Sequence, residues 1–104
     1  MFKLGESEGL MKQNQDLRVC ILGLGYIGLP TAAMLASRGI QVLGVDVKPE
    51  VVDCVSQGRV HIIEPDLDML LHTAVHTHKL RAALTPEPAD VYLIAVPTPL
   101  NEGA

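Results

Sequence analysis

The run Gly23-Leu24-Gly25-Tyr26-Ile27-Gly28 stands between two stretches of opposite character, and few local folds accept it there. Before it, Arg18 to Leu22 (RVCIL) is short and almost wholly apolar, which suits a strand buried on both faces of a parallel sheet. After it, from about Tyr26 to Arg38, Ile27, Ala32, Met34, Leu35 and Ala36 favour helix, and Gly39 follows as a stop. Pro30 falls in or just beyond the first turn, where few backbone bonds are lost. Each glycine then has a separate physical role. Gly23 permits the tight turn out of the strand, Gly25 lets a diphosphate touch the backbone, and Gly28 lets the helix press against the sheet.

A G-x-G-x-x-G spacing alone is a weak signal, and its surroundings strengthen it. Gln41 to Val45 (QVLGV) is a second apolar strand closed by Asp46, eighteen positions after Gly28. A carboxylate there accepts hydrogen bonds from the adenosine ribose hydroxyls and repels the extra phosphate of NADP. The helix N-terminus offers unpaired N–H groups and the positive end of its dipole to the phosphates. The pattern therefore predicts an α/β chain with a Rossmann-type parallel sheet and flanking helices that binds NAD. Ordinary turn glycines and a solvated Asp46 are the bland alternative, and four features in register weigh against it. Lys48 is the one nearby charge that opposes exclusion of NADP, although such a residue is more often simply solvent-exposed.

The remaining chain continues the alternation of strand and helix. Pro49 to Gln57 carries Val51, Val52 and Val55 at helical spacing, with Gly58 just past its end. Pro65 to His78 carries a stripe of Leu67, Leu70, Leu71, Ala74 and Val75, with Asp66 and Asp68 toward its positive end and His76, His78 and Lys79 toward the other. Leu80 to Leu84 is a brief third strand, Pro86 to Asp90 a tight connection, and Val91 to Val96 (VYLIAV) a continuous apolar fourth strand ending at Pro97. Such alternation predicts a parallel sheet with right-handed crossovers. A complete sheet of this kind has about six strands in the order 3-2-1-4-5-6, so about four strands over residues 18–104 make an incomplete N-terminal portion. In that order the fourth strand neighbours the first, which opens Thr98, inside Val96-Pro97-Thr98-Pro99, into the crevice that holds the dinucleotide. A loop capped by its own threonine is the alternative there. Residues 1–17 have neither helical nor strand period and no apolar signal core, so they are expected to form a flexible extension, with Met11 as a second possible start.

Composition removes several function classes. A formal charge of −4 and 3% aromatic residues leave neither a basic footprint nor stacking platforms for nucleic acid. Cys20 and Cys54 are too few for a disulfide framework and fit the cytoplasm, and core packing accounts for both. No charge falls between Arg18 and Arg38, but Gly23, Gly25, Gly28 and Pro30 would interrupt a spanning helix, so no membrane role is expected. His72 and His76 share a helix face without a third ligand, which argues for a solvated face and no metal. Glu64, Asp66 and Asp68 read better as the start of a helix than as paired catalytic acids.

Taken together, GLGYIGLPTA, GVDVKPEVVD, HIIEPDL and LIAVPTP resemble the UDP-glucose/GDP-mannose dehydrogenase family of nucleotide-sugar 6-dehydrogenases, over roughly Val19 to Leu100 and nearest to its amino-sugar branch. The resemblance implies NAD contacts from Tyr26 and Ile27 as well as from Asp46 and Thr98. It also implies a parent enzyme that oxidises the C6 alcohol of a UDP-sugar, UDP-N-acetyl-D-mannosamine in that branch, to the uronic acid. Two hydrides pass to NAD through a cysteine-bound thioester in such enzymes. The family's nucleophilic cysteine lies downstream of the PTP loop, so no catalytic residue is assigned and these 104 residues alone are expected to show no turnover. Fold alone also admits a stand-alone NAD-sensing module without catalysis, or a truncated chain whose exposed sheet edge promotes association into a homo-oligomer.

Overall fold

In the computed structural model, residues 16–62, 64 and 66–95 are described. They form β1 (Arg18–Leu22), α1 (Gly28–Ser37), β2 (Gln41–Val45), α2 (Pro49–Ser56), α3 (Leu67–His76), β3 (Leu80–Ala83) and β4 (Val91–Ile94). The sheet is wholly parallel in the order β3-β2-β1-β4, as the alternation of strand and helix predicts. Leu17, at the end of the expected extension, packs against the core and accepts the Gln41 N–H at 3.1 Å.

Alternation along the strands divides the interior in two. Val19, Ile21, Val42 and Leu80 join Leu29, Ala32, Ala33, Val51, Val55, Leu67 and Leu71, so the three described helices cover one face of the sheet. Cys20, Leu43 and Val45 point to the other face, where Leu22, Ala83 and Ala89 pack on them. Alanines at 32, 33 and 36, together with Gly28, keep α1 thin on its buried side and bring it close to the sheet and to α3.

Helix ends explain where the expected boundaries move. The first intrahelical bonds of α1 place its start at Gly28 rather than Tyr26. α1 closes with Gly39 N–H to Ala36 O at 3.0 Å and Ile40 N–H to Leu35 O at 3.3 Å, and Gly39 has φ +88°. That is a Schellman ending, with glycine in the left-handed position. α3 ends the same way, with His78 N–H to Val75 O and Lys79 N–H to Ala74 O, both 3.0 Å. Here the left-handed residue is His78, φ 63°, so α3 stops at His76 and not at His78. At its other end Asp66 takes φ 65° and makes no side-chain capping bond, and only Asp68 lies in the first turn. β3 ends at Ala83, one residue short of the expected Leu84, and α2 at Ser56.

Val91–Ile94 pairs with β1 as expected, but the continuous apolar strand is not buried: Tyr92, Leu93 and Ile94 are exposed, because β4 is an edge of the described sheet. Val96 and Pro97 lie outside the described residues. The connection before β4 is held by side chains. Ala89 N–H donates to Tyr92 Oη at 3.0 Å, Tyr92 O–H donates to Glu87 O at 2.9 Å, and Arg81 Nη2 meets Glu87 Oε1 at 2.9 Å. The Arg81 guanidinium holds the exposed Glu87 carboxyl below its ordinary value, first through that hydrogen bond and then through its charge.

A left-handed backbone at a non-glycine residue costs about 1 kcal/mol or more, while glycine adopts it freely. His78→Gly is therefore expected to raise the unfolding free energy by about 1 kcal/mol, read as a higher urea midpoint at unchanged slope. No gain, or a loss, would contradict the assigned helix ending.

Candidate functional site

The parallel register sets Leu22 level with Val45, so the residues just beyond β1 and β2 meet at the C-terminal edge of the sheet. Gly23 N–H donates to Val45 O at 2.8 Å, with φ +110° at Gly23 turning the chain away from the strand direction. Next, Leu24 N–H donates to Asp46 Oδ2 at 3.0 Å, and the other carboxylate oxygen, Oδ1, accepts the Lys48 N–H at 3.0 Å. The acid is thus aimed into the glycine loop and fixed by one backbone amide on each oxygen. A carboxylate has about four acceptor sites, so it keeps capacity for two hydroxyl donors.

Beyond Leu24 the loop becomes helix. Leu29 N–H to Gly25 O, 3.0 Å, and Thr31 N–H to Ile27 O, 3.2 Å, are its first i to i−4 bonds, so the amides of Tyr26, Ile27 and Gly28 stand upstream of the ladder. α1 has no side-chain N-cap and no acid in its first turn, whereas α2 has Glu50 and α3 has Asp68 there. No acid of α1 itself offsets its positive dipole end, the condition under which a helix start attracts an anion. Tyr26 and Ile27 are exposed beside it, at 66% and 72%.

The glycines differ in what they need. A Cβ on Gly28 would fall on the Gly23 carbonyl and lie 3.3 Å from Ala95 Cβ, so close helix-to-sheet packing demands glycine there. A Cβ on Gly25 would meet no atom of the described chain within 4 Å, and Gly25 is not among the positive-φ glycines. Nothing in the described packing requires Gly25.

Of the residues singled out in the sequence, Gly23, Gly25, Tyr26, Ile27, Gly28 and Asp46 come together at this edge. Thr98 lies outside the described residues, three positions beyond Ala95, whose N–H donates to Leu22 O at 2.8 Å beside the same edge. His61, which sequence reasoning leaves unassigned, brings Nε2 to 2.6 Å from Leu24 O. It sits in the irregular connection between α2 and α3 and opens the HIIEPDL stretch, where no periodicity gives it a role.

The residues given no binding role fall elsewhere. Cys20 is fully buried, but Cys54 is a correction: it is only partly buried, outside both core clusters, with its thiol donating to Arg59 O at 3.3 Å. His72 and His76 are exposed, their rings stacked 3.9 Å apart, with His76 Nδ1 2.9 Å from His72 O. Among the described residues no group of three His, Cys, Asp or Glu is placed to hold a metal, and no helix is long and apolar enough to cross a membrane. A cleft of about 600 Å³ lined by Ser56, Gln57, His76, His78 and Arg81 lies where α2 and α3 end and β3 begins, away from the glycine loop.

A parallel sheet in the order β3-β2-β1-β4, with a glycine turn and an acid at the carboxyl ends of its two central strands, defines a Rossmann-type dinucleotide-binding domain. Comparison with known proteins narrows this: residues 17–104 match the UDP-glucose/GDP-mannose dehydrogenase family, NAD binding domain, and the chain belongs to that family. It is 55% identical over 88 residues to a UDP-N-acetyl-D-mannosamine dehydrogenase of Campylobacter jejuni, covering 85% of this chain and 22% of that protein. It is 60% identical over 81 residues to an NDP-N-acetyl-D-galactosaminuronic acid dehydrogenase of Ralstonia nicotianae, covering 78% and 19%. The structure of a UDP-N-acetyl-mannosamine dehydrogenase from Staphylococcus aureus superposes with a TM-score of 0.79 at 44% identity, covering 82% of this chain and 21% of that one. The chain spans about a fifth of the length of the curated relatives it matches. NAD is the cofactor of this domain.

The contrast between two glycines is measurable without ligand. Gly25→Ala is expected to keep or raise stability, by up to about 1 kcal/mol, because it stiffens the unfolded chain without a native clash. Gly28→Ala is expected to lower it by about 1–3 kcal/mol, as overpacking against backbone does. Thermal and urea unfolding of both variants read the difference, and equal losses would contradict the loop geometry.

Proposed function

We propose that the amides of Tyr26, Ile27 and Gly28 hold the diphosphate of NAD across the open space at Gly25, and that Asp46 accepts hydrogen bonds from the adenosine ribose hydroxyls. Gly23 turns the chain into that position, and Thr98 borders the cofactor from the loop after β4. The observation that carries this reading is the joint aim of the α1 N-terminus and the Asp46 carboxylate at one edge of the sheet. An acid fixed at the ribose position favours NAD over NADP, because a 2′-phosphate would meet like charge in a partly desolvated site.

NAD supplies a hydride acceptor. In the parent protein the alcohol to be oxidised is the C6 hydroxyl of a UDP-sugar, UDP-N-acetyl-D-mannosamine being the substrate that likeness to the amino-sugar dehydrogenases supports best, and the product is the uronic acid. The residues of this chain contribute cofactor binding. The reaction belongs in the cytoplasm, where NAD and nucleotide sugars are both present.

Titration calorimetry of NAD and NADP into the chain tests the assignment. NAD is expected to bind at least about tenfold more tightly than NADP, the effect of one or more charge-assisted hydrogen bonds. Asp46→Asn keeps an acceptor for the Leu24 amide and removes the charge, and it is expected to lose most of that preference. Gly25→Ala is expected to abolish binding of both while the fold persists. Equal affinity for NAD and NADP in the unaltered chain would overturn the role given to Asp46.

A further inference from the structure

Leu24 is the residue between the first two glycines, and its position sets where Gly25 and the opening of α1 lie. Three contacts fix it. Its N–H donates to Asp46 Oδ2 at 3.0 Å. Its side chain is fully buried over β2, where a Cβ on Gly44 would come within 2.6 Å of Leu24 Cδ2. Its carbonyl oxygen stands 2.6 Å from Nε2 of His61, thirty-seven residues along the chain. The first two contacts come from β2 and the residue that follows it. The third comes from an irregular connection that takes no other part in the loop.

We propose that His61 is a positioning residue for the cofactor site: by donating from Nε2 to the Leu24 carbonyl it holds the peptide between Leu24 and Gly25, and so the amides that follow it, in the orientation that receives the diphosphate. A carbonyl only accepts, so Nε2 carries the proton of this bond. The bond acts on the loop at the point of greatest leverage. Rotation of the Leu24–Gly25 peptide would swing the Gly25 N–H, and the Gly25 carbonyl that starts the α1 ladder through Leu29 N–H would follow it. Without the imidazole the Leu24 carbonyl loses its side-chain donor, and a ligand must order the peptide on binding, which lowers affinity without removing any ligand contact. The connection between α2 and α3 thereby acquires a function at the dinucleotide site that its distance in sequence conceals.

This inference rests on the proposed NAD site, and its test separates the two. Amide hydrogen exchange of the ligand-free chain is compared for the unaltered protein, His61→Ala and His61→Gln, since a glutamine Nε2 donor reaches about as far as the imidazole Nε2. Exchange at Leu24 and Leu29, whose N–H groups are hydrogen-bonded to Asp46 Oδ2 and to Gly25 O on either side of this peptide, is expected to quicken in His61→Ala and to return toward the unaltered rate in His61→Gln, with β1 and β2 amides unchanged in all three. In calorimetric titration with NAD, His61→Ala is expected to bind about three- to tenfold more weakly, the range of one net hydrogen bond, and His61→Gln to recover most of the loss. Loop exchange in His61→Ala at the unaltered rate, or a His61→Gln variant no better than His61→Ala, overturns the positioning role. Failure of the unaltered chain to bind NAD overturns the proposed function instead, and the exchange comparison still decides the role of His61.

Discussion

Parallel pairing of β1 with β2 sets Leu22 opposite Val45, and the first residues beyond each strand, Gly23 and Leu24 on one side and Asp46 on the other, become immediate neighbours. The hydrogen bond from Leu24 N–H to the Asp46 carboxylate joins them. A slip of one residue would move the acid away from the loop and turn Val42 and Leu43 to the wrong faces of the sheet. Hydrophobic burial and site geometry therefore depend on the same register. The core contacts of Val19, Ile21 and Val42 with the helices, and of Cys20 with Leu43 on the far face, maintain the arrangement that the loop uses.

From that junction the rest of the site follows by backbone geometry more than by side chains. Positive φ at Gly23 turns the chain, close packing at Gly28 seats α1 on the sheet, and the first turn of α1 carries neither a capping side chain nor an acid. The other two described helices also lack a side-chain cap but each places a carboxylate in its first turn, so the missing acid is what sets α1 apart. A stability-optimised helix would cap that end. Leaving it open costs a fraction of a kcal/mol and keeps a cluster of N–H dipoles available to an anion.

Much of this is legible in the sequence because each strand or helix announces itself by a different physical signal. The apolar runs RVCIL and QVLGV predict buried parallel strands, and both form with the expected bounds. Gly39 and Gly58 mark helix ends because glycine adopts the left-handed position without cost, and α1 and α2 do end just before them. Where a non-glycine residue takes that conformation the signal vanishes, which is why α3 stops two residues earlier than its stripe and basic end suggest, with His78 in the turn. The apolar content of Val91–Ile94 foretells a strand but not its exposure, since burial depends on what neighbours it and β4 is an edge among the described residues. Cys54 shows the same limit: helical periodicity places it in α2, and only the packing reveals a partly exposed thiol facing Arg59 O. His61 is hidden more deeply, for its contact with Leu24 depends on the path of an irregular connection that has no period to read.

Mapping amide chemical shifts of the isotopically labelled chain during titration with NAD tests the placement of the dinucleotide most directly. The largest changes are expected at Gly25, Tyr26, Ile27 and Gly28, with a second group at Asp46 and its neighbours, and little change at Ser56, Gln57 and Arg81. Changes centred on the cleft at the ends of α2 and α3, with the glycine loop unmoved, would contradict it.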